Sequence, residues 1–220
     1  TTFKQFLFEV EHGYPFSTYP ATRKKDIHEW CNKNRIGSVE KCQHRLVLLR
    51  DPIERLLSCY NNKVVQARKL DHITVGTLSF DSPQRAFPFP TIKEFLENFS
   101  EYRKIPIIHH HTKTISVFLN AQKLNFFTEI FIFSQIEDLA ERINEIAGTN
   151  TKLPHLQNSK NNKNWHGRPE RAELSSLSYS QMLYLTKLYT DEYNFLSPFY
   201  SEKAIMEKWD QERALASQNV

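Results

Sequence analysis

Four consecutive apolar residues, Leu46-Val47-Leu48-Leu49, run straight into Arg50-Asp51-Pro52, and this junction constrains the fold more than any other feature. A continuous apolar run of this length suits a strand covered on both faces, as in a parallel sheet. Proline ends the ladder but fits the first turn of a helix, where its missing N–H costs nothing. Apolar residues then recur at helical spacing through Ile53, Leu56, Leu57, Tyr60 and Val64, which predicts a helix from Ile53 to Ala67. Strand, sharp turn and helix in that order turn backbone N–H groups towards an anion. Arg50 leaves the strand at its C-terminal edge, and its fork can hold two phosphate oxygens. Ser58 stands two turns into the helix and can donate its hydroxyl to the same anion. Asp51 and Glu54 complement the helix dipole and can orient Arg50, while Arg55 can pair with either carboxylate. From spacing alone, an ordinary surface ion-pair set with Ser58 packed quietly fits about equally well. The glycines of a GxxxxGK[ST] loop occur nowhere in the chain.

The remaining segments alternate in the same manner. Phe3 to Glu11 reads as a helix through Phe3, Phe6, Leu7 and Val10, closed by Gly13 and Pro15. Asp26 to Asn34 reads as a short capped helix. Thr74 to Pro90 is a turn-rich stretch, long enough to be a working loop. Thr91 with Glu94 forms a capping box for a helix through Phe99. Lys104 to Leu119 reads as a loop carrying His109-His110-His111 and then a helix from Thr112. Phe126 to Phe133 is a second strand. Ile136 to Ala147 is a helix with Leu139, Ile143 and Ile146 inward and Gly148 as its C-cap. Lys152 to Arg171 is polar and turn-rich, Ser178 to Tyr193 is one long helix, and the tail from Ser201 is helical before it frays. The pattern predicts a single α/β domain over 1–220, with 197–220 a peripheral helical tail and a short central parallel sheet.

Charge and cysteine content exclude several classes. A net charge of +4, from 29 basic and 25 acidic side chains, favours a small anionic ligand. The longest basic cluster, Arg23-Lys24-Lys25, is too short for a nucleic-acid footprint. No apolar run approaches the ~20 residues of a membrane span. Cys31, Cys42 and Cys59 lack CxxC spacing, which argues against a thiolate zinc site or a disulfide framework. Sixteen phenylalanines and nine tyrosines supply core volume first and stacking surfaces second. Three consecutive histidines point apart on either a helix or a strand, so His109-His110-His111 is a poor zinc site, and no metal is assigned. One of these histidines can line a donor or acceptor site, and Lys113 is a further anion contact.

Arg50-Asp51-Pro52-Ile53-Glu54-Arg55-Leu56-Leu57-Ser58-Cys59-Tyr60 resembles the 3′-phosphate-binding motif R-D-P-x-x-R-x-x-S-x-Y of sulfotransferases, in the branch of carbohydrate and heparan 2-O sulfotransferases. Leu153 to Ser159 and Tyr189 to Phe195 are similar to the family's L-P-x-x-N-x-S loop and its closing Y-x-x-D-[FY]-x-x-[FL] pattern, so the resemblance covers residues 1 to about 196. It implies a P-loop-like, three-layer sulfotransferase fold. It also implies 3′-phosphoadenylyl sulfate (PAPS) as donor, adenosine 3′,5′-bisphosphate (PAP) as product, and Arg50 and Ser58 as the 3′-phosphate grip. In the family a lysine-bearing strand and loop bind the 5′-phosphosulfate. Thr1-Thr2-Phe3-Lys4 looks like the tail of that loop; either the lysine strand falls upstream of Thr1, which makes Thr1 and Thr2 5′-phosphosulfate contacts, or the N-terminal strand is missing, which puts transfer in doubt.

Sulfuryl transfer needs an acceptor oxygen in line with the leaving phosphate, donors where negative charge develops, and a base for the hydroxyl proton. No metal enters that scheme. The family often places its base shortly after the phosphosulfate loop or before the 3′-phosphate strand, which leaves His28, Glu11 and His12 as alternatives. The implied acceptor is a hydroxyl of a saccharide or glycolipid, bound by Tyr14 to Arg23, Thr74 to Pro90 and Asn158 to Arg168. A kinase-like phosphoryl transferase and a non-catalytic nucleotide-binding protein are the rival expectations.

Overall fold

The computed structural model describes residues 2–14, 39–71, 88–153 and 170–218. The chain divides into two compact units, Thr1–Leu49 with Asn125–Asn164, and Arg50–Leu124 with Trp165–Val220. The described part is mostly helical, with one short parallel sheet.

In the first unit, helix α1 spans Thr2–His12 and buries Phe6 and Phe8. Strands β1 (Leu46–Leu49) and β2 (Glu129–Ile132) pair in parallel, with Leu46 opposite Glu129 and Leu49 opposite Ile132. Arg45 fixes the entry to β1: its backbone N–H donates to Thr128 Oγ1 at 2.9 Å and its Nε to the Phe126 carbonyl at 2.7 Å. β1 departs from the expected burial on both faces, since Val47 and Leu49 are buried while Leu46 and Leu48 are half-buried. Helix α7 (Ile136–Ala147) follows β2 and ends at Gly148, whose φ of 66° is the left-handed C-cap geometry that glycine adopts without strain. Its inward face is Ile136, Leu139 and Ala140; Ile146, expected inward, is exposed.

The second unit begins at Arg50. Helix α2 spans Pro52–Cys59 and continues as a π-helical stretch, Tyr60–Gln66, where a uniform α-helix was expected. The wider winding is marked by Ala67 N–H, which donates five residues back to the Asn62 carbonyl at 2.8 Å. It keeps Tyr60, Val64 and Val65 buried together. Helices α3 (Ile92–Glu97) and α4 (Phe99–Tyr102) follow, the first opened by the expected Thr91–Glu94 capping box. Helix α5 is Pro106–Thr112 and α6 is Ile115–Phe118. The three histidines therefore lie on a helix, correcting the loop reading. Pro106 at its start and the buried pair Ile108 and Thr112, one turn apart, explain the winding.

The expected long helix from Ser178 is two helices, α8 (Tyr179–Leu188) and α9 (Thr190–Leu196). Helix α10 (Glu202–Gln218) is docked by Ile205 and by Trp209, whose indole donates to the Leu177 carbonyl at 3.0 Å. The core of this unit is aromatic, as the composition led one to expect. Phe95 packs on Tyr102, Tyr60 and Phe99 with centroid separations of 5.0, 5.4 and 5.6 Å. No described helix is long and apolar enough to cross a membrane. The expected helix over 26–34 and most of the loops at 74–90 and 152–171 lie outside the described residues.

Candidate functional site

The start of α2 is built around Asp51. It is the N-cap of α2, and its Oδ1 accepts from Ile53 N–H at 2.9 Å and Glu54 N–H at 3.1 Å. Pro52 has no N–H, and Arg55 N–H already bonds the Asp51 carbonyl at 2.9 Å. Every N–H of the first turn is thus occupied or missing. These N–H groups therefore bond within the chain, where the sequence reading turned them towards an anion. The other carboxylate oxygen of Asp51 accepts from the Tyr193 hydroxyl at 3.0 Å. Burial raises the Asp51 carboxyl to about 6, against the pull of its hydrogen bonds from Glu54 N–H and Tyr193.

Arg50 follows the strand end directly and is half-buried. Burial lowers its pKa from the ordinary arginine value; Glu54 is the largest charge opposing that shift, and neighbouring Arg55 adds to it. A partly desolvated guanidinium near a second cation is a setting that a bound dianion relieves. Ser58 is half-buried on α2, one residue before its end.

Arg55 does not pair with Asp51 or Glu54 as expected. It forms a buried ion pair with Glu192 of α9, Nη2 lying 2.9 Å from Oε1 and 3.0 Å from Oε2. The reason is local: Asp51 is taken up by the cap and Tyr193, and Glu54 bonds Lys208 of α10. Glu192 also accepts the Ile115 N–H at 2.9 Å, and burial raises its pKa despite Arg55. Arg55 Nε and Nη1 are buried without a hydrogen-bond partner among the described residues.

Helix α5 packs against α2. His109 and His110 are exposed, while His111 is half-buried and lowered to about 4 by burial and then by Lys63. Lys113 is the C-cap of α5, and its ammonium lies 4.9 Å from the centre of the Phe118 ring. The Arg55 guanidinium approaches the same ring at 5.8 Å. Among the described residues no three His, Cys, Asp or Glu side chains form a metal-binding group.

Arg50, Ser58 and Lys113 belong to the second unit, Glu11 and His12 to the first. Glu11 is exposed at the end of α1. His12 stacks on Phe8 with centroids 4.0 Å apart, and its Nδ1 lies 3.0 Å from the Phe8 carbonyl. That contact requires the hydrogen on Nδ1, so neutral His12 carries its acceptor lone pair on Nε2. Thr1, the Thr2 side chain, His28, Trp165, His166 and Arg168 lie outside what is described.

Glu192 and Tyr193, which the sequence reading noted only within the closing Tyr189–Phe195 pattern and gave no role at the site, organise the start of α2. The signal was present: Met182, Leu185, Tyr189, Glu192 and Leu196 recur at intervals of three and four. A carboxylate on that apolar stripe demands a buried cation.

A family model described as the sulfotransferase family matches residues 3–200 of the chain. No curated protein and no solved structure matches it.

Proposed function

Because this chain belongs to the sulfotransferase family, we propose that it transfers a sulfuryl group from PAPS to a hydroxyl of a saccharide or glycolipid. We place it in the carbohydrate and heparan 2-O-like branch, with a P-loop-like, three-layer arrangement around its short parallel sheet. The observation that carries this reading is the family match across residues 3–200, which contains the R-D-P-x-x-R-x-x-S-x-Y segment. A half-buried arginine at a strand end, beside a helix start whose N–H groups are already occupied, supports a grip made by side chains.

In this reading Arg50 and Ser58 hold the 3′-phosphate, Lys113 adds a cation, and Thr1 and Thr2 contact the 5′-phosphosulfate. PAPS supplies the sulfuryl group: a bond from the acceptor oxygen to sulfur forms as the bond from sulfur to the phosphate oxygen breaks, leaving PAP. A base drawn from His28, Glu11 and His12 takes the acceptor proton. The Nδ1–Phe8 carbonyl contact and the stacking on Phe8 hold the ring of His12 in place, which favours it among the described candidates.

The reading is tested by incubating the chain with radiolabelled PAPS and a panel of saccharides and glycolipids. Label transfer to a hydroxyl-bearing acceptor, lost in Arg50→Ala, is the expected result. In parallel incubations, phosphate transfer from labelled ATP supports a kinase-like enzyme, and tight binding of PAP without transfer to any acceptor supports a non-catalytic binding protein.

A further inference from the structure

Helix α9 ties together the three segments that carry Arg50, Ser58 and Lys113. Consecutive residues on a helix point about 100° apart, so Glu192 and Tyr193 reach different partners from one turn. Tyr193 donates to Asp51, the residue that follows Arg50 and caps α2. Glu192 holds Arg55, three residues before Ser58 on the same helix. The second contact of Glu192, on Ile115 N–H, fixes the start of α6 two residues after Lys113. The Phe118 ring, approached by both Arg55 and Lys113, closes the connection. Both α9 side chains are buried, so neither contact competes with water.

We propose that Glu192 and Tyr193 are positioning residues, a strap that sets the spacing of Arg50, Ser58 and Lys113 around the donor's 3′-phosphate. The proposal rests on the donor reading above. It differs from a purely structural role in one consequence: loosening the strap harms recognition of the 3′-phosphate and spares the rest of the nucleotide. A structural contact elsewhere in the same unit lowers stability without that selectivity.

Calorimetric titration of the full chain with PAP, and with AMP, which lacks the 3′-phosphate, separates the two. The variants are Tyr193→Phe and Glu192→Gln, both nearly isosteric. Trp209→Phe is the control, because it removes a single buried hydrogen bond from a different part of the same unit. Tyr193→Phe and Glu192→Gln are expected to weaken PAP about fivefold to tenfold, the loss of one hydrogen bond's worth of affinity, and to change AMP less than twofold. Trp209→Phe is expected to lower the melting temperature and leave both affinities unchanged. If the intact chain prefers PAP over AMP and both strap variants keep that preference in full, the strap is wrong and the donor reading stands. If the intact chain binds PAP and AMP equally, the donor reading is wrong and the strap falls with it.

Discussion

Removing the Glu192 carboxylate tests the energetic logic of the second unit. The Glu192 side chain is 1% exposed and that of Arg55 14%. Glu192→Ala withdraws the only hydrogen-bond acceptor that the Arg55 side chain has among the described residues, and it also leaves Ile115 N–H unsatisfied. Breaking one side of a buried pair costs about 3–5 kcal/mol, because the remaining charge stays desolvated. For a chain of this size that lowers Tm by about 6–20 °C. The double variant Arg55→Met, Glu192→Leu removes both charges. It is expected to recover most of the loss, short of about 1 kcal/mol for the Ile115 N–H. Scanning calorimetry of the intact chain, both single variants and the double variant reads all of this. If Glu192→Ala costs less than about 1 kcal/mol, or the double variant is no better than the single, Arg55 is adequately solvated without Glu192 and the argument fails.

Two further perturbations follow from the same unit. Asp51 titrates at about 6 in the folded chain against an ordinary 3.8, so between those values the folded state binds the extra proton. Its contribution to stability is therefore present at low pH and lost as pH rises from about 4 to 6, by roughly 3 kcal/mol at most. Asp51→Asn keeps an acceptor for Ile53 and Glu54 and removes this titration. Urea midpoints of the intact chain minus those of Asp51→Asn should fall from pH 4 to 7, and a difference that rises over that range contradicts the burial argument. Trp209→Phe should cost about 1 kcal/mol for the lost bond to Leu177, and Trp209→Ala about 3–5 kcal/mol for the emptied volume. Equal costs for the two would show that Trp209 packing contributes little.

The elements legible in the sequence were those whose signals are local. Leu46–Leu49, the Pro52 helix start, the Thr91–Glu94 box and the Gly148 cap each rest on residues within a few positions of one another. What escaped depends on distant partners. The π winding at Tyr60–Gln66 shows no breaker residue, and the split at Tyr189 lies inside an unbroken apolar stripe. The histidines of α5 read as loop because short helices set by burial of Ile108 and Thr112 leave little periodic trace. At the site, Arg50 and Ser58 were visible as a motif, yet the pairing of Arg55 was misassigned. Its nearest carboxylates in sequence, Asp51 and Glu54, are claimed by Tyr193 and Lys208, more than a hundred residues away. Only a fold that brings α9 and α10 onto α2 selects Glu192 instead.

The account depends most on Arg50 and Ser58 acting on one phosphate. A double-mutant cycle on PAP affinity, with Arg50→Ala, Ser58→Ala and the pair, measures that directly. The predicted coupling is on the order of 1 kcal/mol for PAP and near zero for AMP. Additive losses for PAP, or the same coupling with AMP, would mean that the two side chains do not share the 3′-phosphate.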